Sequence, residues 1–160
     1  MNTFATIEDY KRYELVGYYS IQAEDSEISE AQNFFERMED IEELSDQLER
    51  FVYWMKKIGN ELGAQPELFR HEGICEALPP DIKFTHEKIE LRLYCYLVSE
   101  NVVILFNGDR KTPGAVSSDD CPRVKPHHTR AKGWTRKLKT EIIKTNFNYI
   151  VNKEDILIVY

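Results

Sequence analysis

The chain has 160 residues, of which 42% are hydrophobic and 12% aromatic, and its formal net charge is −7. This composition fits one folded domain and excludes a disordered chain, and no apolar run approaches the ~18 residues of a membrane-spanning helix. The three cysteines, Cys75, Cys95 and Cys121, are too widely spaced to indicate a disulfide framework. Because no signal peptide is visible at the N-terminus, we expect a cytoplasmic protein.

Charge is distributed unevenly along the chain. Residues 1–107 carry 10 basic and 22 acidic side chains, a balance of −12, whereas residues 108–144 carry 10 basic and 4 acidic, a balance of +6. This separation of an acidic N-terminal part from a basic part near the C-terminus predicts a basic surface that binds a polyanion. The alternative is that opposite charges of the two halves face one another in the fold.

The first predicted elements are a strand at residues 13–21 and a short helix from about Ser29. A longer helix follows, with Asp40 as its predicted N-cap and Glu43 completing a capping-box-like pair. The apolar stripe of this helix recurs at spacings of three and four and comprises Ile41, Leu44, Leu48, Phe51, Met55, Ile58 and Leu62. Gly63 is the predicted residue just beyond the end of the helix.

Strands are predicted after the helices. Residues 69–81 indicate an extended segment that ends in a turn at Pro79 and Pro80, and residues 90–98 and 101–107 predict a hairpin. A long polar loop then leads to the last helix.

The last predicted helix is basic and begins at about His127. Its predicted buried stripe comprises Ala131, Trp134, Leu138 and Ile142. Asn146 is its predicted end, and residues 155–160 predict a terminal strand. The order of elements predicts an α+β fold in which N-terminal helices pack on a mostly antiparallel sheet, with a basic C-terminal helix.

One face of the first hairpin strand carries an unusual set of side chains. Arg92, Tyr94 and Tyr96 alternate with apolar residues and therefore share one face of the strand. Tyrosines offer rings for stacking, and arginine offers a fixed fork of donors that suits phosphate. These residues predict a platform for a phosphate and a base, and the alternative is an ordinary amphipathic edge face.

Two more cations, Arg110 and Lys111, directly follow the second hairpin strand. The hairpin register predicts that both emerge near Arg92. Three cations that converge can hold a phosphodiester and stabilise the charge that develops on it. The alternative is a loop with two solvated charges.

The start of the last helix carries His127 and His128, either of which can act as a general acid or base near neutral pH. Further basic side chains on this helix predict contacts with a nucleic-acid backbone, the alternative being a solvated helix face. They are Arg130, Lys132, Arg136, Lys137 and Lys139. No metal or cofactor is predicted, because CxxC, HxxxH and Gly-rich phosphate motifs are absent.

The hairpin and its surroundings resemble the RelE/HigB/ParE toxin superfamily. The resemblance rests on Leu91-Arg92-Leu93-Tyr94, on residues 102–106 and on Arg110-Lys111-Thr112-Pro113, with Leu78 in the preceding strand. It implies a RelE-like fold in which a helical hairpin precedes an antiparallel sheet. It also divides a single domain of residues 1–160 into an N-terminal extension at 1–39, a core at 40–145 and a terminal strand at 146–160.

The resemblance implies an mRNA-cleaving endoribonuclease of a toxin–antitoxin system, often dependent on the ribosome and neutralised by a small antitoxin protein. Carried onto this chain, Arg92, Arg110 and Lys111 would handle the scissile phosphate. His127 or His128 as base or acid is our own assignment from spacing. This chain is longer and more acidic than the members it resembles. The alternative function is therefore a non-catalytic interaction module of the same fold, whose acidic helices form the partner surface.

Overall fold

The computed structural model describes residues 4–112, 121–144 and 157–159. Its strands are β1 (Phe4–Arg12), β2 (Gly17–Ala23), β3 (Arg70–Glu72), β4 (Cys75–Leu78), β5 (Leu91–Ser99), β6 (Val102–Arg110) and β7 (Leu157–Val159). Its α-helices are α1 (Glu30–Glu39), α2 (Ser45–Lys57), the single turn α3 (Ile82–Thr85) and α4 (Lys125–Lys144). Among the described helices, none is both long enough and apolar enough to cross a bilayer.

The described strands form one sheet in the order β3-β4-β5-β6-β2-β1-β7. Neighbouring strands are antiparallel except for β2 and β6, which run parallel. The prediction of an α+β fold with a mostly antiparallel sheet is therefore confirmed. The 90–98 and 101–107 hairpin is also confirmed, as β5 and β6.

Helices cover both faces of this sheet. On one face α1 packs against β2 and β6 and α2 contacts β5, burying Phe34, Phe51 and Met55. On the other face α4 packs against β4, β5 and β6, burying Ala131, Trp134 and Leu138 as the sequence predicts. The side chain of Ile142 and the whole of Asn146 lie outside the described residues. The two faces of β5 alternate as expected, with Leu91, Leu93 and Cys95 beneath α1 and α2 and Tyr94 beneath α4.

The N-terminal segment is built into the same sheet. The sequence predicts one strand at residues 13–21, whereas the structure has β1 and β2, with β2 lying between β1 and β6. Helix α1 supplies Ala31, Phe34 and Met38 to the main core. Residues 4–39 are thus a structural part of this fold. Of the predicted terminal strand, residues 157–159 pair with β1, and residues 146–156 and 160 lie outside the described residues.

The helix boundaries agree with the sequence in two places and differ in a third. Ser29 caps α1 by accepting a hydrogen bond from the backbone N–H of Gln32, and Gly63 ends the second helical region with φ 76°. The prediction that Asp40 begins the longer helix is wrong, because Asp40 is the C-terminal cap of α1. The chain becomes extended at Ile41 and makes a 3₁₀ turn before α2 begins at Ser45.

A β-bulge in β6 sets the orientation of the hairpin's charged end. Leu93 pairs with Gly108 and Cys95 with Leu105, so the single residue Tyr94 lies opposite both Phe106 and Asn107. The extra residue reverses the alternation of β6 beyond this point. Arg92 then pairs with Asp109, and Leu91 with Arg110.

Helix α1 clamps the bulge through Arg37. Its guanidinium donates to the carboxylate of Asp109 at 3.0 Å and to the Gly108 carbonyl at 2.6 Å. The same group donates to the Asn107 side chain. The backbone carbonyl that the bulge exposes is therefore satisfied by a charged donor.

We expect Gly108→Ala to unfold the hairpin end, because a Cβ at this position would lie 1.7 Å from the Arg92 carbonyl oxygen. Backbone atoms cannot give way as a flexible side chain can. The free energy of unfolding should fall by at least about 3 kcal/mol, measured by urea denaturation. The matched control is Gly133→Ala in α4, where an added Cβ meets no atom within 4 Å. That variant should be more stable by about 0.5–1 kcal/mol. Equal midpoints for Gly108→Ala and wild type would contradict the bulge geometry.

Candidate functional site

The structure brings two of the predicted cations together where β5 begins and β6 ends. The backbone N–H of Lys111 donates to the Glu90 carbonyl at 2.8 Å, which holds Lys111 beside the start of β5. Arg92 and Lys111 line one pocket of about 300 Å³. A third cation, Arg70 at the start of β3, lines the same pocket. We call this the cationic pocket.

Sequence reasoning missed Arg70. It lies on a short strand and belongs to no motif, so only the pairing of β3 with β4, and of β4 with β5, reveals its place. Arg70 pairs with Ala77, and Ala77 pairs with Tyr94, which is two residues from Arg92 on the same face. These pairings across β3, β4 and β5 place Arg70 on the same face of the sheet as Arg92, beside the predicted site.

Arg92 is the deepest of the three cations, with 8% of its surface exposed. Its Nη1 donates to the carbonyls of Ile89 and Leu91 at 2.7 and 2.8 Å. Its Nε is buried and has no hydrogen-bond partner among the described residues. Burial, followed by the positive charge of Arg70, lowers the pKa of Arg92 to about 10. Arg92 is thus a charged but incompletely compensated group at neutral pH.

The pKa values of the other two cations, Arg70 and Lys111, are also lowered by burial. Burial lowers the pKa of Arg70, with a partial offset from Asp81, whose carboxylate is 3.9 Å from the guanidinium. Burial and the charge of Arg92 lower the pKa of Lys111. Burial is the largest cause of the lowered pKa in all three groups, while the charge of Glu72 favours the charged form of each. A bound anion would favour the charged forms further.

Three carboxylates line the same pocket, and each is paired with a neighbouring group. Glu87 forms an ion pair with Arg50, and Glu90 forms one with Arg110. Asp81 caps α3 by accepting from the backbone N–H of Lys83 at 3.1 Å. Among the described residues, the lining has four cationic side chains, Lys88 being the fourth, against these three carboxylates.

Arg110 does not join the cationic pocket. Its Nε donates to Glu90, a carboxylate of the pocket wall, at 2.9 Å, and its Nη1 donates to Glu43 of the 3₁₀ turn before α2 at 2.7 Å. The bulge explains this placement, because it turns Arg110 toward the Leu91 face and Lys111 toward the Arg92 face. The expected trio of Arg92, Arg110 and Lys111 is therefore replaced by Arg70, Arg92 and Lys111.

Both histidines belong to the first turn of α4, and neither lines the cationic pocket. The His128 ring stacks on Tyr94 at 5.0 Å between centroids, and its Nε2 is 2.9 Å from the Glu72 carbonyl oxygen. The His127 Nε2 is 3.9 Å from the carboxylate of Asp109. Burial, followed by the charge of Arg37, lowers the pKa of His127. The structure thus separates both histidines from the cations.

The predicted RNA-contacting residues fall into two groups. Tyr94 is fully buried under α4, so its ring offers no open stacking surface in this conformation. Tyr96 is half-buried, with the Lys139 ammonium 5.9 Å from its ring. On α4, Arg130, Arg136 and Lys137 are exposed and Lys132 is half-buried. The helix therefore presents cations to solvent on a face adjoining the sheet end.

Part of the uneven charge is paired across the fold. Arg130 of α4 pairs with Glu30 of α1 at 3.0 Å, and Arg110 pairs with Glu43. The second alternative drawn from the sequence therefore holds in part, because some opposite charges of the two halves meet in the fold.

Cys121 contacts Thr112, which is one of the residues that line the cationic pocket. The Cys121 sulfur is 3.1 Å from both the backbone nitrogen and the hydroxyl of Thr112. Burial alone would raise the pKa of this thiol, but hydrogen bonds from Thr112 and from the backbone of Arg123 and Val124 lower it to about 7. No cluster of three or more His, Cys, Asp or Glu side chains suited to a metal occurs among the described residues.

Comparisons of the chain with protein-family models, with curated proteins and with solved structures find no match. The functional argument therefore depends on the geometry and chemistry of the cationic pocket.

We expect His127 to make stability depend on pH. Its pKa is lowered in the folded state, so the unfolded state, with a histidine pKa of about 6.5, binds the proton first. The stabilisation is complete above that pH and is lost as pH falls through the lower folded-state pKa. Urea denaturation from pH 7.5 to 5 should show a smaller decrease in the free energy of unfolding for His127→Gln than for wild type. His86→Gln, at an exposed position, should retain the wild-type decrease. Parallel curves for wild type and His127→Gln would refute the assignment.

Proposed function

We propose that this protein is a toxin-like endoribonuclease that binds single-stranded RNA at the cationic pocket and cleaves it. The observation that carries the proposal is the convergence of Arg70, Arg92 and Lys111 on one pocket, with lowered pKa values for all three. A phosphodiester is the anion that such a site suits, because the planar guanidinium of arginine can donate two parallel hydrogen bonds to the oxygens of one phosphate. The resemblance of the hairpin to RelE/HigB/ParE toxins supports the same conclusion.

The proposed reaction is attack of a ribose 2′-hydroxyl on the adjacent phosphorus. The P–O5′ bond breaks, leaving a 2′,3′-cyclic phosphate and a 5′-hydroxyl. Arg70 and Arg92 stabilise the negative charge that develops on the phosphate oxygens. Lys111 donates a proton to the leaving oxygen, a role that a lowered pKa favours. The wall holds the carboxylates of Asp81, Glu87 and Glu90, and one of them would leave its present partner to accept the proton of the attacking hydroxyl.

The proposal gives secondary roles to the basic helix and to a partner. Exposed Arg130, Arg136 and Lys137 on α4 extend the positive surface for the RNA backbone. A small antitoxin protein would neutralise the enzyme by covering this surface or the pocket.

Induced expression in bacteria tests the proposal. Wild type should arrest growth and accelerate decay of bulk mRNA. Lys111→Ala should reduce RNA cleavage by purified protein about 10²- to 10³-fold, because one group that stabilises the transition state is removed. Lys111 is half-buried and suits this test better than Arg92, whose removal would also leave two backbone carbonyls without their donor.

The matched control is Lys56→Ala, which removes one exposed lysine from α2. It should arrest growth and cleave RNA as wild type does. Normal growth and intact mRNA on expression of wild type would contradict the proposal. That result would favour an interaction module, whose partner surface is the exposed acidic set on the 3₁₀ turn and α2. This set comprises Glu42, Glu43, Asp46 and Glu49.

A further inference from the structure

A second and larger pocket lies beside the cationic pocket. It has a volume of about 660 Å³ and lies between α2 and the α3 turn. Three aromatic residues line it, namely Tyr53 and Trp54 of α2 and Phe84 of α3. Glu87 lines both pockets, so the two are neighbours along the same surface. We call the larger one the aromatic pocket.

Of the three rings of the aromatic pocket, that of Tyr53 is exposed and those of Trp54 and Phe84 are half-buried. Tyr53 is 55% exposed, which is high for a large ring on a packed helix. Its ring meets that of Trp54 edge to face, with centroids 5.8 Å apart. The Lys57 ammonium is 5.9 Å from the centroids of both rings. An exposed ring with a cation beside it is a stacking surface for the bases of single-stranded nucleic acid.

The polar groups of the aromatic pocket suit a base better than a phosphate. Asp46 and Glu49 lie in its wall, and carboxylates repel phosphate but accept hydrogen bonds from the amino groups of bases. The Arg50 guanidinium, held by Glu87, offers a further plane for stacking.

The cationic pocket has the opposite character. Among the described residues that line it, none is aromatic, and its cations outnumber its carboxylates by four to three. One pocket therefore matches the phosphate and its neighbour matches the base.

We propose that the aromatic pocket is a nucleobase subsite. It would hold a base of the RNA strand whose scissile phosphate lies in the cationic pocket, an inference that rests on the proposed function. Stacking on Tyr53 and hydrogen bonding to Asp46 or Glu49 would make this subsite a determinant of which nucleotide flanks the cleaved bond.

Binding measurements with two probes test the subsite. The first probe is a 2′-O-methyl oligoribonucleotide of mixed sequence, which lacks the attacking hydroxyl. The second is inorganic polyphosphate, which has phosphates and no bases. Tyr53→Ala should weaken binding of the oligonucleotide about tenfold and leave binding of polyphosphate unchanged. Tyr53→Phe keeps the ring and should bind the oligonucleotide as wild type does. Lys111→Ala should weaken binding of both probes.

The possible failures are distinguishable. Unchanged oligonucleotide affinity in Tyr53→Ala, with loss in Lys111→Ala, would overturn the subsite and leave the cationic pocket in place. If Tyr53→Ala instead abolished binding of a protein partner, the pocket would belong to a protein segment, which also overturns the proposal. No binding of the oligonucleotide to wild type would contradict the proposed function and the subsite with it. Equal urea midpoints for wild type and both Tyr53 variants would verify that the fold is intact.

Discussion

The close approach of β5 and β6 at Gly108 is the constraint on which the candidate site depends. No side chain fits between Gly108 and the Arg92 carbonyl, and the bulge at Phe106 and Asn107 is fixed by that contact and by Arg37. The bulge reverses the alternation of β6. It therefore decides which cation of the adjacent pair Arg110 and Lys111 faces the pocket.

This arrangement allows an acidic chain to carry a basic site. Residues 30–57, which form α1, α2 and the turn between them over one face of the sheet, carry 8 acidic and 4 basic side chains, and residues 1–29 and 58–107 each carry an acidic excess of the same size. The cationic pocket and α4 lie at the sheet end and on the opposite face. Local charge, more than the net charge of −7, then governs the attraction of a polyanion.

The sequence predicts those features that depend on periodicity and misses those that depend on strand pairing. The hairpin, the Ser29 cap and the Ala131, Trp134 and Leu138 stripe follow from local patterns that one face of an element must satisfy. The presence of Arg70 in the cationic pocket depends on the pairing of neighbouring strands. The orientation of Arg110 toward the Leu91 face depends on a one-residue bulge. No local sequence pattern encodes either feature. The prediction of an exposed Tyr94 ring is wrong because α4 covers the ring. The residues of α4 that do so lie more than thirty positions away in the sequence, so no local pattern around Tyr94 indicates its burial.

The most direct test of the account is the salt dependence of RNA affinity. We would measure binding of the 2′-O-methyl oligonucleotide at several salt concentrations for wild type, Lys111→Ala and Arg110→Gln. If Lys111 contacts a phosphate and Arg110 faces the acidic helices, the slope of log affinity against log salt should fall by about 0.7 in Lys111→Ala only. A slope that falls in Arg110→Gln and not in Lys111→Ala would contradict the cationic pocket as the phosphate site.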